Sequence, residues 1–580
     1  MASSPYPKSQ AVAGANTPPP IAVLKFGSSI LRTHEDLPRV AGEIYRQRRT
    51  GRDIVAVVSA LAGDTDALLK QAAEVTGLAS CRGVPDLVSL GEERTAALLR
   101  LTCERIGLRA DICRAEDLGL RTEGDGLSAT PVALEAATLL ARLARTGVVI
   151  VPGFVGLDGV GARTLLGRGG SDYTAIFLGG ELGAERVRLY KDVDGVYEED
   201  PARCSHARRF DRISWHDALR VARPLIQPQA LQYAQARALP VEVEALGSAD
   251  PTLVGPASAP ARPASAPDPL RISLAGFGTV GQALAERLRG EDAFRVESIL
   301  VRDTARSRAV PPPVPLTAST AEFLAADADV IVDALSCEAT GGLLCREALP
   351  RGVDVVSASK RLISADHHFL SDAATRGGSQ LLYSAAVGGS TTVLEVVDRA
   401  RAAGEIAEVV GVLNGTVNFM LQRLHGGAAF DEALREAQAR GFAEEVPNAD
   451  LSGADAAAKL RLIAHRAVGV PHLSLDVTTE TLDAAAAKRI RESGERWVQV
   501  ARVSRGASGL EASVTLQPLR EVSELPAILD EWNCAAVTLA DGRVYRCVGR
   551  GAGGAATAEA IVADLYEILR RRVAHRREAA

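Results

Sequence analysis

The sequence predicts an α/β protein of more than one domain, and three observations carry that prediction. Its 580 residues exceed what one hydrophobic core organises. Apolar β-like runs alternate with Ala- and Leu-rich helical stretches: IAVLKF from Ile21, DIVAVVSA from Asp53, GVVIVPGF from Gly147 and RVRLYKDV from Arg186. Strands that are apolar along their whole length belong to a mostly parallel sheet covered by helices. Finally, GPASAPARPASAPDP (Gly255–Pro269) alternates Pro, Ala and Ser without apolar periodicity and reads as a semi-rigid linker. Beyond it, RISLAGFGTVGQALAERL from Arg271 runs strand, glycine turn and helix in succession.

Composition narrows the function classes. A net charge of −6 argues against nucleic acid or an acidic membrane as main partner. No apolar run reaches the roughly 18–20 residues that span a bilayer. Residues 1–20 lack the apolar region of a secretory signal and the Arg-rich pattern of a transit peptide, and read as a disordered leader. Eight scattered cysteines without a CxxC pair fit free thiols in a reducing, cytoplasmic setting and give no reason to expect zinc. The expected division is a leader (1–20), a first α/β domain (21–250), a linker (251–270), a dinucleotide-binding domain (271–400), an α+β domain (401–548) and a C-terminal segment (549–580) returning to the dinucleotide domain.

Gly276, Gly278 and Gly281, with Phe277, Thr279 and Val280 between them, form GxGxxG between a predicted strand and a predicted helix. Glycine permits the tight turn and lets the backbone approach a pyrophosphate, whose charge a helix N-terminus stabilises. This is a Rossmann fingerprint, and it implies NADP or NAD. An NAD enzyme usually offers a carboxylate to the ribose at the end of the second strand. Here the chain places Arg302, then Arg306 and Arg308, and a guanidinium suits a 2′-phosphate.

Further motifs resemble one family. GVLNGTVNFML from Gly411, GFAEEVPNADLSGADAAAKL from Gly441, VGRGAGGAATAEAIVADL from Val548, VVSASK ending at Lys360 and YSAAVGG from Tyr383 are similar to signatures of homoserine dehydrogenase, over residues 271–570. Reduction of an aldehyde needs a cationic acid beside the oxygen that becomes an alkoxide. The resemblance implies that role for Lys459, with Lys360 as a second lysine. It also implies substrate binding by Glu444, Asp455 and nearby Asp450, contacts to substrate or cofactor from Asn414 and Thr416 of the LNGT turn, and return of Gly551 to the nucleotide. Asp455 and Lys459 are four apart and share a helix face; outside this motif they would be an ordinary surface ion pair. The family often binds Na⁺ or K⁺ through backbone carbonyls, which here fall around Val387 and Gly389. The chain departs from the family pattern at Ser359, at Ser384 and at Ser390-Thr391-Thr392.

The first half resembles aspartokinase over about residues 20–235. LKFGSSIL from Leu24, VVSALAGDTDALL from Val57, SLGEE from Ser89, LGRGGSDYTA from Leu166 and YKDVDGVYEEDP from Tyr190 stand in the family's order. Moving a γ-phosphoryl group is chiefly positioning and charge neutralisation. Lys25 is suited to hold phosphate oxygens, and the Gly27-Ser28-Ser29 turn supplies amides and hydroxyls. By resemblance Asp172 orients lysines, while Lys191, Asp192 and Tyr197 match the nucleotide-binding strand and loop. For aspartate, Arg168 can clamp a carboxylate, Glu92 can accept the ammonium, and Ser59 and Thr65 can add hydrogen bonds. ATP would arrive with Mg²⁺.

The kinase half departs from its family in three places. The usual double glycine is shortened at Gly27-Ser28, the arginine after Asp-Pro stands one place late at Arg203, and Pro224 stands where a lysine is usual. The expected fold is an amino-acid kinase domain followed by a Rossmann domain with an α+β substrate and dimerisation domain. The segment between the halves is too short for the regulatory domains that such kinases usually carry. The expected function is a bifunctional enzyme of the aspartate pathway, leading toward threonine and methionine, with L-aspartate, aspartate semialdehyde and homoserine as its small-molecule partners. The expected assembly is a homodimer or higher homo-oligomer. An alternative keeps the dehydrogenase but makes the kinase-like domain binding-only. A weaker one gives the dehydrogenase a different small aldehyde.

Overall fold

The computed structural model describes residues 18–77, 81–204, 206–222, 225–248, 250–263, 268–440, 442–443, 447–469, 475–506, 509–526 and 531–579. They form two compact units, one of Pro20–Thr392 with Val548–Ala580 and the other built on Val393–Cys547.

The first unit contains two large sheets, one mostly parallel and one wholly parallel, with two smaller antiparallel or mixed sheets beside them. The larger has eight strands in the order Arg212–Ser214, Thr252–Gly255, Val241–Ala245, Arg186–Lys191, Ile21–Phe26, Asp53–Val58, Val148–Pro152 and Asp111–Ile112. Its central strands are buried over nearly their whole length, because helices cover both faces. Parallel pairing sets Lys25 opposite Leu189 and Phe26 opposite Tyr190, so Lys25 and Lys191 end their strands at the same rim. Such rims are where α/β sheets bind ligands.

The linker reading is corrected at its start. Thr252–Gly255 is a strand of this sheet, antiparallel to Val241–Ala245, and Arg208–Arg209 pairs with Arg262–Pro263. The alternation of Thr252, Leu253 and Val254 carries enough burial to pair a strand before the Pro/Ala/Ser composition begins.

The second sheet has the order Leu316–Thr317, Phe294–Leu300, Leu270–Ala275, Val330–Asp333, Asp354–Ser357 and Leu381–Leu382, all parallel. The C-terminal helix Gly554–Ala579 completes its core through Ile561, Val562 and Leu565.

The other unit carries a six-stranded sheet in the order Thr478–Thr479, Gly509–Pro518, Trp497–Gly506, Ile406–Val412, Trp532–Leu539 and Val544–Arg550. Val417, Phe419 and Leu424 of helix Gly415–His425 pack with Ala433, Ala437 and Ile490 of neighbouring helices. The divisions fall at Thr392/Val393 and Cys547/Val548 and not at 400/401 and 548/549, since helix Val393–Ala403 goes with the sheet it precedes.

Candidate functional site

In the kinase half, three distant segments bring charges together. Asp172 lies in the first turn of helix Gly170–Glu181, is buried, and pairs with both lysines. Lys25 Nζ is 2.7 Å from Oδ1 and Lys191 Nζ is 2.8 Å from Oδ2. Burial alone would push the Asp172 carboxyl up, but the two ammoniums outweigh it and hold the group below its ordinary value. Burial lowers Lys25 to about 8, against the pull of Asp172 and with the repulsion of Lys191. A Cβ at Gly27 would collide with Lys25 Nζ, so glycine lets this ammonium fold over the turn. Ser28 and Ser29 are exposed at the tip of that turn, and Gly27 O accepts from the amides of Ile30 and Leu31.

Glu92 is 2% exposed; Oε1 accepts from Ala60 N at 3.2 Å, while Oε2 has no hydrogen-bond partner among the described residues. Burial pushes its carboxyl up to about 7. Such a group is stabilised by a cation brought to it. Ser59 is half-buried and its amide bonds Phe26 O, and half-buried Thr65 sits in the first turn of helix Asp64–Thr76. Arg168 is exposed, in the turn before Gly169, and makes no ion pair among the described residues.

Exposed Asp192 follows Lys191, and half-buried Tyr197 stands in the loop beyond it. Its hydroxyl donates to Asp194 Oδ1 at 2.5 Å, tying the loop to itself. The loop is also held by buried Arg209, which donates to Asp194 O and Asp250 O, and by Thr252, whose Oγ1 accepts from Val196 N at 3.0 Å. Sequence reasoning missed both, because their partners lie 15 to 56 residues away. Arg203 pairs with Asp200 on the exposed surface. Arg223 and Pro224 lie outside the described residues.

In the NAD-binding half, Gly276 has φ +101, and a Cβ there would meet Ala334 O at 2.6 Å. A Cβ at Gly281 would collide with Gly276 O, which makes glycine obligatory for this strand–helix packing. Gly278 has open space around its Cβ position, as the approach of a pyrophosphate needs, and it caps helix Thr279–Arg287. Phe277 is buried, Thr279 exposed and Val280 half-buried. These residues fit a dinucleotide. Arg302 is exposed just past Phe294–Leu300 and makes no ion pair among the described residues, while Arg308 turns back onto Asp303 O and Arg306 O.

Lys360 begins helix Lys360–Gly377, where the helix dipole disfavours a cation. Its place is thus not one that helix stability selects. Gly389, at φ +55, lies against Arg550 and Gly551, and Ser390 N donates to Arg550 O at 3.0 Å. Val387 is buried on the same turn.

In the other unit, Asp455 and Lys459 are both buried on helix Ala454–Val468, with Nζ 3.0 Å from Oδ2. Lys459 also donates to Leu413 O at 2.7 Å. Asn414, capping helix Gly415–His425, donates to Asp450 Oδ1 at 2.8 Å and to Asp455 Oδ2 at 3.0 Å. This is a buried polar network and not a surface pair, and Asn414 is its hub. The Asn-Gly-Thr run after a strand is the signal that could have singled it out as a cap. The Thr416 hydroxyl donates to Phe442 O at 2.6 Å and holds the next segment. Glu444 lies outside the described residues.

A kinase-type charge cluster and a dinucleotide turn followed by a buried lysine set define a two-part enzyme chain. The family models agree. "Amino acid kinase family" matches residues 20–243, "Homoserine dehydrogenase, NAD binding domain" matches 276–384 and "Homoserine dehydrogenase" matches 393–566. One chain thus joins a segment similar to the amino acid kinase family to two segments similar to homoserine dehydrogenase. It is 34% identical to an aspartokinase of Pseudomonas aeruginosa over 226 residues, 38% of this chain and 55% of that protein. It is 33% identical to an aspartokinase of Geobacillus stearothermophilus over 226 residues, 38% of this chain and 56% of the relative. The chain thus spans about half the length of the curated relatives it matches. A crystal structure of a homoserine dehydrogenase from Thiobacillus denitrificans is 29% identical, with 53% of this chain and 74% of that one covered and a TM-score of 0.48.

Proposed function

We propose that the chain phosphorylates L-aspartate with ATP and, as a separate reaction, reduces aspartate 4-semialdehyde to L-homoserine with NADPH or NADH. The observation that carries this reading is the pair of buried lysine–carboxylate sets, Lys25–Asp172–Lys191 and Asp455–Lys459, each inside the segment matched to its family.

For the kinase, Lys25 and Lys191 neutralise phosphate oxygens, and Asp172 holds the two ammoniums apart and aimed. Gly27, Ser28, Ser29 and Asp192 frame the nucleotide, and Mg²⁺ bound with ATP offsets the remaining phosphate charge. Glu92 takes the substrate ammonium, Arg168 its carboxylate, and Ser59 and Thr65 add hydrogen bonds. The intact Lys25–Asp172–Lys191 cluster favours a working kinase over a binding-only domain.

For the dehydrogenase, the turn Gly276–Gly281 and Gly551 hold the dinucleotide, with Arg302 toward a 2′-phosphate; when bound, it supplies the hydride. Lys459 has three N–H donors. Two are held by Leu413 O and Asp455, and the third delivers a proton to the aldehyde oxygen. Asp455, Asp450 and Glu444 bind the substrate's ammonium, and Lys360 acts in the same reaction. Val387 and Gly389 carbonyls are the proposed Na⁺ or K⁺ ligands. The enzyme is proposed to be cytoplasmic and a homodimer or higher homo-oligomer; among the described residues no helix is long and apolar enough to cross a membrane.

The test is ATP-dependent aspartyl hydroxamate formation together with NADPH oxidation by aspartate semialdehyde. Both are expected from the wild-type chain, and absence of either with saturating substrates removes that half of the reading.

A further inference from the structure

Within the first unit, the kinase half packs on the NAD-binding half through charged groups that are nearly all buried. Kinase helix Leu37–Arg49 faces the C-terminal helix Gly554–Ala579 and helix Thr279–Arg287. The Arg46 guanidinium lies 3.9 Å over the Tyr566 ring, and the Tyr566 hydroxyl donates to Glu291 Oε2 at 3.0 Å. Arg287 bridges Glu559 at 2.7 Å and Glu291 at 2.6 Å. A Cβ at Gly42 would collide with the Glu559 carboxylate and the Arg287 guanidinium, so the helices meet at a glycine. Buried charges are costly unless their partners are in place, so this array admits one docking geometry.

Two kinase groups reach beyond these helices to a single segment of the NAD-binding half, the short helix Ser384–Gly388 and the turn that follows it. Arg49 pairs with buried Asp564 at 2.6 Å and, through the same nitrogen, donates to Ser384 Oγ at 3.3 Å. Gly107, which follows kinase helix Val84–Arg105, offers its carbonyl to Ser390 Oγ at 3.4 Å. Its φ is +79, and a Cβ there would lie 2.9 Å from Arg550 N. The segment between these two contacts carries Val387 and Gly389. Gly389 packs on Arg550 and Gly551, and the same run continues to Gly554, whose Cβ position is 3.1 Å from Thr279 in the dinucleotide turn.

We propose that the kinase domain clamps the dehydrogenase segment Tyr383–Ser390, the short helix Ser384–Gly388 and the turn after it, with Arg49 as the positioning residue at one end and Gly107 as the contact at the other. The clamp aligns the Gly549–Gly554 run against the dinucleotide turn, so the kinase fold is a structural part of the dehydrogenase. The effect on turnover rests on the dehydrogenase reading above; the effect on the segment does not.

The test uses the full-length chain and two readouts. Hydrogen–deuterium exchange of the 384–390 amides is expected to rise about ten-fold in Arg49→Ala, the effect of losing a hydrogen bond to a charged group, while the strands bearing Lys25 and Lys191 keep their protection. NADPH kcat/KM with aspartate semialdehyde is expected to fall by about the same factor, through KM more than kcat, with hydroxamate formation unchanged. Ser384→Ala keeps the Arg49–Asp564 pair and should reproduce part of the loss. Added to Arg49→Ala it should contribute nothing further. Arg49→Lys should restore the melting temperature more than the KM, since an ammonium keeps the charge beside Asp564 but lacks the guanidinium's fixed, planar reach to Ser384. Unchanged segment exchange in Arg49→Ala, or losses that simply add in the double variant, would overturn the proposal. Raised segment exchange in a chain whose wild type fails to oxidise NADPH would leave the clamp standing and sink the dehydrogenase reading instead.

Discussion

The two halves build their lysine–carboxylate sets by opposite routes. In the segment matched to homoserine dehydrogenase, Asp455 and Lys459 sit one helical turn apart and meet because a helix brings i and i+4 together. In the kinase, Lys25, Asp172 and Lys191 come from three segments and meet only because two strands of a parallel sheet end beside one helix N-terminus. The local set depends on one helix staying buried. The assembled set depends on the whole fold, and its two like charges make it fragile.

The largest effect that sharpens this contrast is expected from Lys459→Ala. Loss of a general acid lowers the rate by about 10²–10⁴-fold, so NADPH oxidation should nearly vanish in a protein that still folds, with a lowered melting temperature because buried Asp455 loses its counter-ion. Lys25→Ala should lower hydroxamate formation by about 10²–10³-fold, as removal of a charge-stabilising donor does. Asp172→Asn should do the same and also destabilise the protein, by about 3–5 kcal/mol, because it leaves two buried ammoniums without their counter-ion. Equal stability losses in Asp172→Asn and Asp455→Asn, followed by thermal unfolding, would break the contrast.

A smaller effect follows from Glu92, whose carboxyl burial pushes up to about 7. A folded value above the ordinary 4.5 means that stability from the neutral form is present below the unfolded value and is lost as pH rises through about 7. Aspartate binding runs the other way, because the ammonium needs the charged form. The KM for aspartate should therefore fall as pH rises through about 7, and Glu92→Gln should flatten both trends while raising KM about ten-fold. Above pH about 8, loss of the Lys25 proton should lower kcat/KM for ATP. The smallest effect is expected from Arg302→Ala, which should cost about ten-fold in NADPH affinity and leave NADH unchanged; equal losses for both cofactors would remove Arg302 from the 2′-phosphate.

Legibility in the sequence follows the same division. The GxGxxG turn and the Asp455–Lys459 pair could be read because their parts lie within a few residues. Lys25, Asp172 and Lys191 could be named by resemblance, yet no spacing announces their contact. The strand Thr252–Gly255 was hidden by the Pro/Ala/Ser run that begins at its last residue. Tyr197 and Thr416 could be named by resemblance, while the partners of their hydroxyls, Asp194 Oδ1 and Phe442 O, could be read only from the structure. Arg49 carries no signal at all, since its partners Ser384 and Asp564 lie 335 and 515 residues away.

The claim that one chain holds two chemically separate sites is tested most directly by assaying both reactions in a single preparation of Lys25→Ala. Hydroxamate formation should disappear while NADPH oxidation with aspartate semialdehyde proceeds at the wild-type rate. Loss of both reactions in a folded protein, or survival of hydroxamate formation, would contradict it.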